Sequence, residues 1–217
     1  MIFLDRTQAG RALAGKLGAY AGRPDVVVLA LPRGGVPVGF QVAEALDAPL
    51  DVFVVRKLGA PGQEELALGA IASGGVVQLD AGIVRALGVE DREIQGIVAR
   101  ERQELSRREA LYRRGKPALE VRGKVVILVD DGLATGSSMA AAVEALRALS
   151  PASIVVAVPV APGSAAARFA RLADAFVCVA APEPFHAVGQ WYEDFAQTGD
   201  DEVRDLLRRR ERLALPA

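Results

Sequence analysis

The fold is decided by the stretch Val125-Val126-Ile127-Leu128-Val129-Asp130-Asp131-Gly132-Leu133-Ala134-Thr135-Gly136-Ser137-Ser138. Its first five residues are apolar and mostly β-branched, as expected of a strand buried on both faces of a parallel sheet. Two carboxylates follow where such a strand would emerge, and a loop of small residues then leads into a predicted helix over 139–149. Ligands of open α/β sheets bind at the carboxyl ends of the strands. The stretch therefore predicts a binding site beside Asp130 and Asp131.

The loop that follows the two acids has the chemistry of an anion site. It offers backbone N–H groups together with the hydroxyls of Thr135, Ser137 and Ser138. Because the loop opens a helix, the helix dipole also favours a negative charge there. The two acids cannot bind that anion, but they can accept hydrogen bonds from vicinal hydroxyl groups. The combination predicts a site for a ribose 5-phosphate.

At these residues the chain resembles the phosphoribosyl-diphosphate (PRPP) signature of type I phosphoribosyltransferases. The resemblance implies that Asp130 and Asp131 bind the 2- and 3-hydroxyls of the ribose. It also implies that the 5-phosphate is held by Ala134, Thr135, Gly136, Ser137 and Ser138. Gly132 departs from the pattern, which usually has a branched apolar residue there. The alternative is an ordinary strand end followed by a capped helix.

A second glycine-rich turn, Arg33-Gly34-Gly35, lies where the first predicted strand leads into its helix. Glycines without side chains let the backbone approach a ligand closely, and the arginine adds a charged fork. In the resembling family this turn receives the pyrophosphate of PRPP, so Arg33, Gly34 and Gly35 are the candidates for that role. We expect an unusual peptide geometry at this turn. The alternative is a plain strand-to-helix turn with a surface arginine.

Two adjacent cations, Arg56 and Lys57, follow the second predicted strand, and a Gly/Pro-rich segment comes after them. The segment over 56–65 is predicted to be irregular and to act as a lid. Members of the resembling family often have a basic strand end and a mobile loop here, which implies that Arg56 and Lys57 bind the phosphates of PRPP. The alternative is a solvated surface loop.

The composition is that of a compact enzyme rather than of a tail, a filament or a membrane protein. With 217 residues, 51% of them hydrophobic, and a mean hydropathy of +0.24, the chain can bury a core as one domain over 1–217, with a C-terminal helical appendage over about 180–217. The net charge of −1 argues against nucleic acid as a partner. The single Cys178 cannot form an internal disulfide, and no apolar run approaches the ~20 residues of a membrane helix. We expect a cytoplasmic protein without a leader peptide or a membrane partner.

Strands and helices alternate as they do in a doubly wound, mainly parallel α/β sheet with flanking helices and a small C-terminal hood. The hood is the appendage over about 180–217. Strands are predicted over 26–31, 50–55, 125–129, 154–159 and 175–179, and a hairpin over 66–72 and 76–79. Helices are predicted over 5–20, 36–46, 90–114, 139–149 and 163–172, and one or two helices follow residue 182. The arginines of the 90–114 helix alternate with glutamates, which favours a solvated helix over a nucleic-acid surface.

The hood concentrates the few aromatic residues of the chain, among them Phe185 and Trp191. A planar acceptor could stack on these rings, and packing of the C-terminal segment against the domain is an equally good interpretation. His186 is the only histidine, and it has no partners at metal-ligand spacing.

The resemblance implies a magnesium-dependent transferase that moves the phosphoribosyl group of PRPP to a small-molecule acceptor, with Asp130, Asp131, Arg56 and Lys57 acting on the reacting groups. The metal would arrive with PRPP rather than on dedicated side chains. A nitrogenous base is the expected acceptor. Ala134 stands where the 6-oxopurine branch of the family commonly has an acid. A homodimer is also implied. The alternative function is a non-catalytic regulatory protein that binds PRPP.

Overall fold

A five-stranded parallel sheet forms the centre of the computed structural model, which describes residues 2–113 and 119–214. Its strands are β1 (Val26–Ala30), β2 (Leu50–Val52), β6 (Val125–Val129), β7 (Ser153–Val160) and β8 (Ala175–Ala180). They lie side by side in the order β2-β1-β6-β7-β8. β1 and β6 are adjacent, with Val26 paired to Val125 and Ala30 to Val129. The segments that follow these two strands therefore start side by side at one edge of the sheet.

Helices cover both faces of the sheet, so the predicted doubly wound, mainly parallel α/β architecture is confirmed. On one face, Leu13 and Val38 share a buried cluster with Val28 of β1. On the other face, Met139 shares a cluster with Leu128 of β6. The helices are α1 (Arg6–Lys16), α2 (Gly35–Leu46), α3 (Ala81–Leu87), α4 (Asp91–Tyr112), α5 (Ser137–Ala148), α6 (Ser164–Phe169) and α7 (Asp200–Ala214), and 3-10 turns span Gly18–Tyr20 and Val188–Trp191.

The irregular conformation predicted over 56–65 is wrong, whereas the lid function of this segment stays a prediction. Strands β3 (Val55–Ala60) and β4 (Gln63–Ala72) form an antiparallel hairpin, and β5 (Val76–Leu79) completes a separate three-stranded sheet. Pro61 and Gly62 form only the turn between β3 and β4, and Gly62 has the φ of +70° that favours glycine. The hairpin predicted over 66–72 and 76–79 is confirmed as β4 and β5.

Several predicted boundaries also move. The first helix ends at Lys16, and a 3-10 turn occupies its last predicted residues. The second strand ends at Val52 instead of reaching Val55. Helix α3 was not predicted, although Asp80 caps it by accepting hydrogen bonds from the N–H groups of the second and third residues of the helix. Arg114, where the long helix was predicted to end, and the last three residues of the predicted domain lie outside the described residues.

The C-terminal helix α7 packs on α2 and β2, and its Val203 and Leu207 belong to the same buried cluster as α2. Its Arg210 is almost fully buried, with 5% of the side chain exposed. The guanidinium donates to the carbonyl oxygen of Ala48 at 2.9 Å and to Asp47 Oδ1 at 2.7 Å. Arg210 therefore fastens α7 to the end of α2.

Among the helices of the described residues, none is both long and apolar enough to cross a membrane.

Arg210→Ala is expected to lower the free energy of unfolding by about 2 kcal/mol, because it removes two hydrogen bonds of a buried charged group. Arg208→Ala is the matched control, since the Arg208 side chain is 65% exposed on the same helix. The control should change stability by less than about 0.5 kcal/mol. Urea denaturation of both variants measures the difference, and equal effects would contradict the anchoring role.

Candidate functional site

The glycine turn after β1 lies directly against the acid pair after β6. The Leu31 N–H donates to the Val129 carbonyl oxygen at 2.9 Å, so the pairing of the two strands continues to their ends. A Cβ built on Gly34 would overlap Oδ2 of Asp131, and one built on Gly35 would lie 2.8 Å from the Val129 carbonyl oxygen. Only residues without side chains fit this approach. The turn and the acids therefore lie in direct contact at one edge of the sheet.

The Pro32–Arg33 peptide bond is cis, an unusual geometry of the kind expected at this turn. Arg33 lies about one-third exposed, with Nη1 3.8 Å from Oδ1 of Asp200. The Tyr112 hydroxyl donates to the same Oδ1 at 2.6 Å. Burial and this hydrogen bond raise the pKa of Tyr112 to about 12. Asp200, at the start of α7, thus provides a carboxylate beside the arginine predicted to bind pyrophosphate.

The two acids are held in different ways. The Asp131 N–H donates to Asp130 Oδ1 at 2.9 Å. Arg6 Nε donates to Asp131 Oδ2 at 2.8 Å, and the Tyr192 hydroxyl donates to the Asp131 carbonyl oxygen at 2.6 Å. Burial raises the pKa of both carboxyls, and the charge of Asp131 raises that of Asp130 further. The Arg6 guanidinium opposes the rise at Asp131, so Asp131 is the acid held more firmly in its ionised form.

The predicted phosphate loop precedes α5, the first residue of which is Ser137. Gly136 has a φ of +68°, and the Thr135 and Ser137 hydroxyl oxygens lie 3.0 Å apart. Arg168 of α6 donates to the Thr135 carbonyl oxygen, which fixes the peptide plane that also carries the Gly136 N–H. Ala134, Thr135 and Ser138 are exposed, so the loop is accessible to a ligand.

The two predicted cations lie on the antiparallel sheet rather than at the end of β2. Arg56 donates to Glu101 Oε2 of α4 through Nε at 2.9 Å and Nη2 at 2.7 Å. Lys57 is exposed on the same strand, β3. A phosphate at Arg56 would therefore share the guanidinium with Glu101.

The C-terminal hood explains why residue 132 is glycine. A Cβ at this position would lie 2.6 Å from Val188 Cγ1 and 3.0 Å from Val160 Cγ1. The 3-10 turn over Val188–Trp191 therefore covers the signature so closely that the usual branched residue would not fit.

Phe185 and Trp191 stack on each other, with ring centroids 6.1 Å apart and planes 26° apart. Both are partly buried against the cluster that contains Val160, at the carboxyl end of β7. Trp191 Nε1 is buried and has no hydrogen-bond partner among the described residues. The rings thus lie at the ligand edge of the sheet, and packing between them does not exclude stacking on an acceptor. His186 is exposed beside them.

Four residues at this site were missed by sequence reasoning: Arg6, Arg168, Tyr192 and Asp200. Each comes from a segment distant in sequence from the part of the site that it contacts. Tertiary packing brings each one to the acid pair, the phosphate loop or the glycine turn. Single arginines and acids at helix ends are typical of solvated positions, so the sequence carried no local signal for them.

Comparison with known proteins identifies relatives of this chain. Two proteins of Mycobacterium tuberculosis, MT0597 of strain CDC 1551 and Rv0571c of strain H37Rv, are named as candidate phosphoribosyl transferases and are each 47% identical over 211 residues. The match covers 97% of this chain and 47% of each relative, so the chain spans about half their length. The crystal structure of TT1426 from Thermus thermophilus is 42% identical, with a TM-score of 0.85 over 96% of this chain and 99% of that one.

The model of the phosphoribosyl transferase domain family matches residues 4–187, which include the glycine turn, the acid pair and the phosphate loop. This chain belongs to that family.

Proposed function

We propose that the protein transfers the 5-phosphoribosyl group of PRPP to a small-molecule acceptor and releases pyrophosphate. The observation that supports this most strongly is the packing of the turn at Gly34 against Asp131, with the phosphate loop following on the same chain segment. A glycine backbone, two carboxylates and a helix-opening loop at one sheet edge match the three parts of the donor: diphosphate, ribose diol and 5-phosphate.

In the proposed reaction an acceptor nitrogen bonds to C1 of the ribose while the bond from C1 to the pyrophosphate oxygen breaks. The transition state has oxocarbenium character, similar to that of glycoside chemistry. Asp130 and Asp131 bind the ribose hydroxyls, and the loop Ala134, Thr135, Gly136, Ser137 and Ser138 binds the 5-phosphate.

The pyrophosphate contacts Gly34, Gly35 and Arg33, with Arg56 and Lys57 as further cations. The chain's own part in the reaction is to orient the donor and to stabilise the leaving group.

Magnesium is the proposed metal. A cluster of three or more His, Cys, Asp or Glu side chains able to hold a metal does not occur in the described part of the chain. Magnesium that arrives on a diphosphate is held mainly by phosphate oxygens and keeps several of its waters, so Asp130 and Asp131 remain available to the ribose hydroxyls. When bound, the ion would neutralise part of the charge on the leaving pyrophosphate.

The acceptor is proposed to be a nitrogenous base that stacks near Phe185 and Trp191. These rings lie on the ligand side of the sheet, and Val188 between them already touches the signature at Gly132. We further propose a cytoplasmic homodimer built from one domain with a C-terminal helical segment. The family supports the homodimer, and the composition supports the cytoplasmic location.

An acceptor screen tests the function. The protein is incubated with PRPP, magnesium and a panel of purines, pyrimidines and other nitrogen bases, and pyrophosphate release is measured. Release that depends on both PRPP and one acceptor is expected, with PRPP binding in the millimolar range or tighter by calorimetry. Absence of PRPP binding in the presence of magnesium would overturn the proposal. Firm binding without turnover on any base would instead support a PRPP-binding regulatory protein.

Asp130→Asn is expected to weaken PRPP binding by about tenfold or more while raising the melting temperature at neutral pH by about 2–4 °C. Burial raises the pKa of Asp130, so ionisation of this group favours the unfolded state at any pH above its unfolded pKa of about 3.9. Asparagine keeps the acceptor for the Asp131 N–H and removes the charge.

The stability gain of Asp130→Asn should therefore be absent near pH 4 and grow as the pH rises. Thermal unfolding of both proteins from pH 4 to pH 8 measures it. Asp205→Asn is the control, because the Asp205 side chain is 70% exposed on α7 and should give no such trend. A gain that is constant with pH would contradict the assigned burial effect.

A further inference from the structure

Arg6 connects three separate segments at the acid pair. Its Nε donates to Asp131 Oδ2 at 2.8 Å, and its Nη1 donates to the Ala196 carbonyl oxygen at 2.7 Å. The ring of Phe195 lies under the guanidinium, 4.0 Å from Cζ to the ring centroid. Only 12% of the Arg6 side chain is exposed. The arginine is thus fixed in place by the hood.

The pair that Arg6 forms with Asp131 differs from an ordinary surface ion pair. It uses one carboxylate oxygen only: Oδ1 of Asp131 accepts no hydrogen bond from residues 2–113 or 119–214. The backbone of the same residue is fixed independently, because the Tyr192 hydroxyl donates to its carbonyl oxygen at 2.6 Å. Asp131 is therefore held at both ends, with one oxygen left for a ligand.

We propose that Arg6 is a positioning residue for the second ribose acid: it fixes Oδ2 of Asp131 against the glycine turn, so that Oδ1 accepts the ribose hydroxyl. This inference rests on the proposed function. Because Oδ1 of Asp131 is oriented before PRPP arrives, PRPP binding does not incur the entropic cost of ordering this carboxylate. A lysine could supply the charge at this position but not the planar fork that reaches both Asp131 and Ala196.

The charges around Asp131 support the assignment. The groups that face it are Arg6 from α1, Asp130 directly after β6 and Tyr192 from the hood. Burial raises the pKa of Asp131, and Arg6 is the cation that lowers it. Loss of Arg6 should therefore raise the pKa of this carboxyl and reduce the fraction that is ionised at a given pH.

Three variants test the proposal: Arg6→Gln, Arg6→Lys and the control Arg11→Gln. Arg11 lies on the same helix, is exposed, and contacts Gln41 at 3.0 Å, away from the acid pair. PRPP with magnesium is titrated calorimetrically into each protein between pH 5 and pH 8. Carbon-13 NMR of labelled aspartate carboxyls follows the titration of Asp131 without PRPP.

Arg6→Gln is expected to weaken PRPP binding by about tenfold or more. As the pH is lowered, the PRPP affinity of this variant should begin to fall at a higher pH than that of the wild type. Arg6→Lys should restore the pH profile while recovering only part of the affinity. Arg11→Gln should match the wild type. Unchanged PRPP affinity in Arg6→Gln would overturn the positioning role, as would an unchanged NMR titration of Asp131.

Failure of the wild type itself to bind PRPP would overturn the proposed function instead. If Arg6→Gln does not fold, the Arg6→Lys variant decides, since full affinity in that variant would also refute the need for the fork.

Discussion

The in-register parallel pairing of β1 with β6 is the constraint on which the rest of the site depends. Because Ala30 pairs with Val129, the chain leaves both strands at the same level of the sheet. The turn at Gly34 then passes close to the carboxylate of Asp131. A side chain at Gly34 would occupy the space of that carboxylate. A shift of one residue in this pairing would separate the turn from the acids and reverse the faces of the strand.

The hood is the second constraint, and the segment that precedes α1 pairs with it. The Phe3 N–H donates to the Trp191 carbonyl oxygen at 2.8 Å, and the Glu193 N–H donates to the Phe3 carbonyl oxygen at 2.8 Å. This pairing brings Arg6 to the side chain of Asp131, Tyr192 to its carbonyl oxygen, and Val188 close to Gly132. The acids are consequently buried enough for their pKa values to rise, and the Arg6 guanidinium opposes that rise at Asp131.

The sequence predicted those parts of the molecule that are encoded locally. A run of five apolar residues, two acids and a small-residue loop specify strand, strand end and helix start within one short segment, so β6 and α5 were predicted with little error. The hairpin over 55–72 was missed because Gly59, Pro61 and Gly62 indicate a loop when read locally, whereas Leu58 and Leu68 bury the pair against the core. The antiparallel pairing of β3 with β4 decides in favour of the hairpin.

In the candidate site, too, some residues are predicted by local motifs and others are brought in only by tertiary packing. Asp130, Asp131 and the glycine turn could be assigned from motifs, because each motif carries its own backbone requirement. Arg6 could not be assigned, since nothing near it in the sequence distinguishes it from the other arginines. Arg56 was predicted to face a phosphate, but its guanidinium is paired with Glu101 of α4, a contact that depends on where the long helix packs. Motifs thus predict the backbone of the candidate site, and tertiary packing selects the side chains that support it.

The central claim is that the turn and the acid pair form one donor site, and Gly34→Ala tests it most directly. Gly34 has φ −58° and ψ −32°, which alanine adopts without strain, so the only new feature is a methyl group directed at Asp131. Gly15→Ala is the matched control, because a Cβ at Gly15 meets nothing within 4 Å. Calorimetric titration with PRPP and magnesium is expected to show about tenfold weaker binding or worse for Gly34→Ala, and wild-type affinity for the control. Wild-type affinity in a folded Gly34→Ala protein would contradict the account.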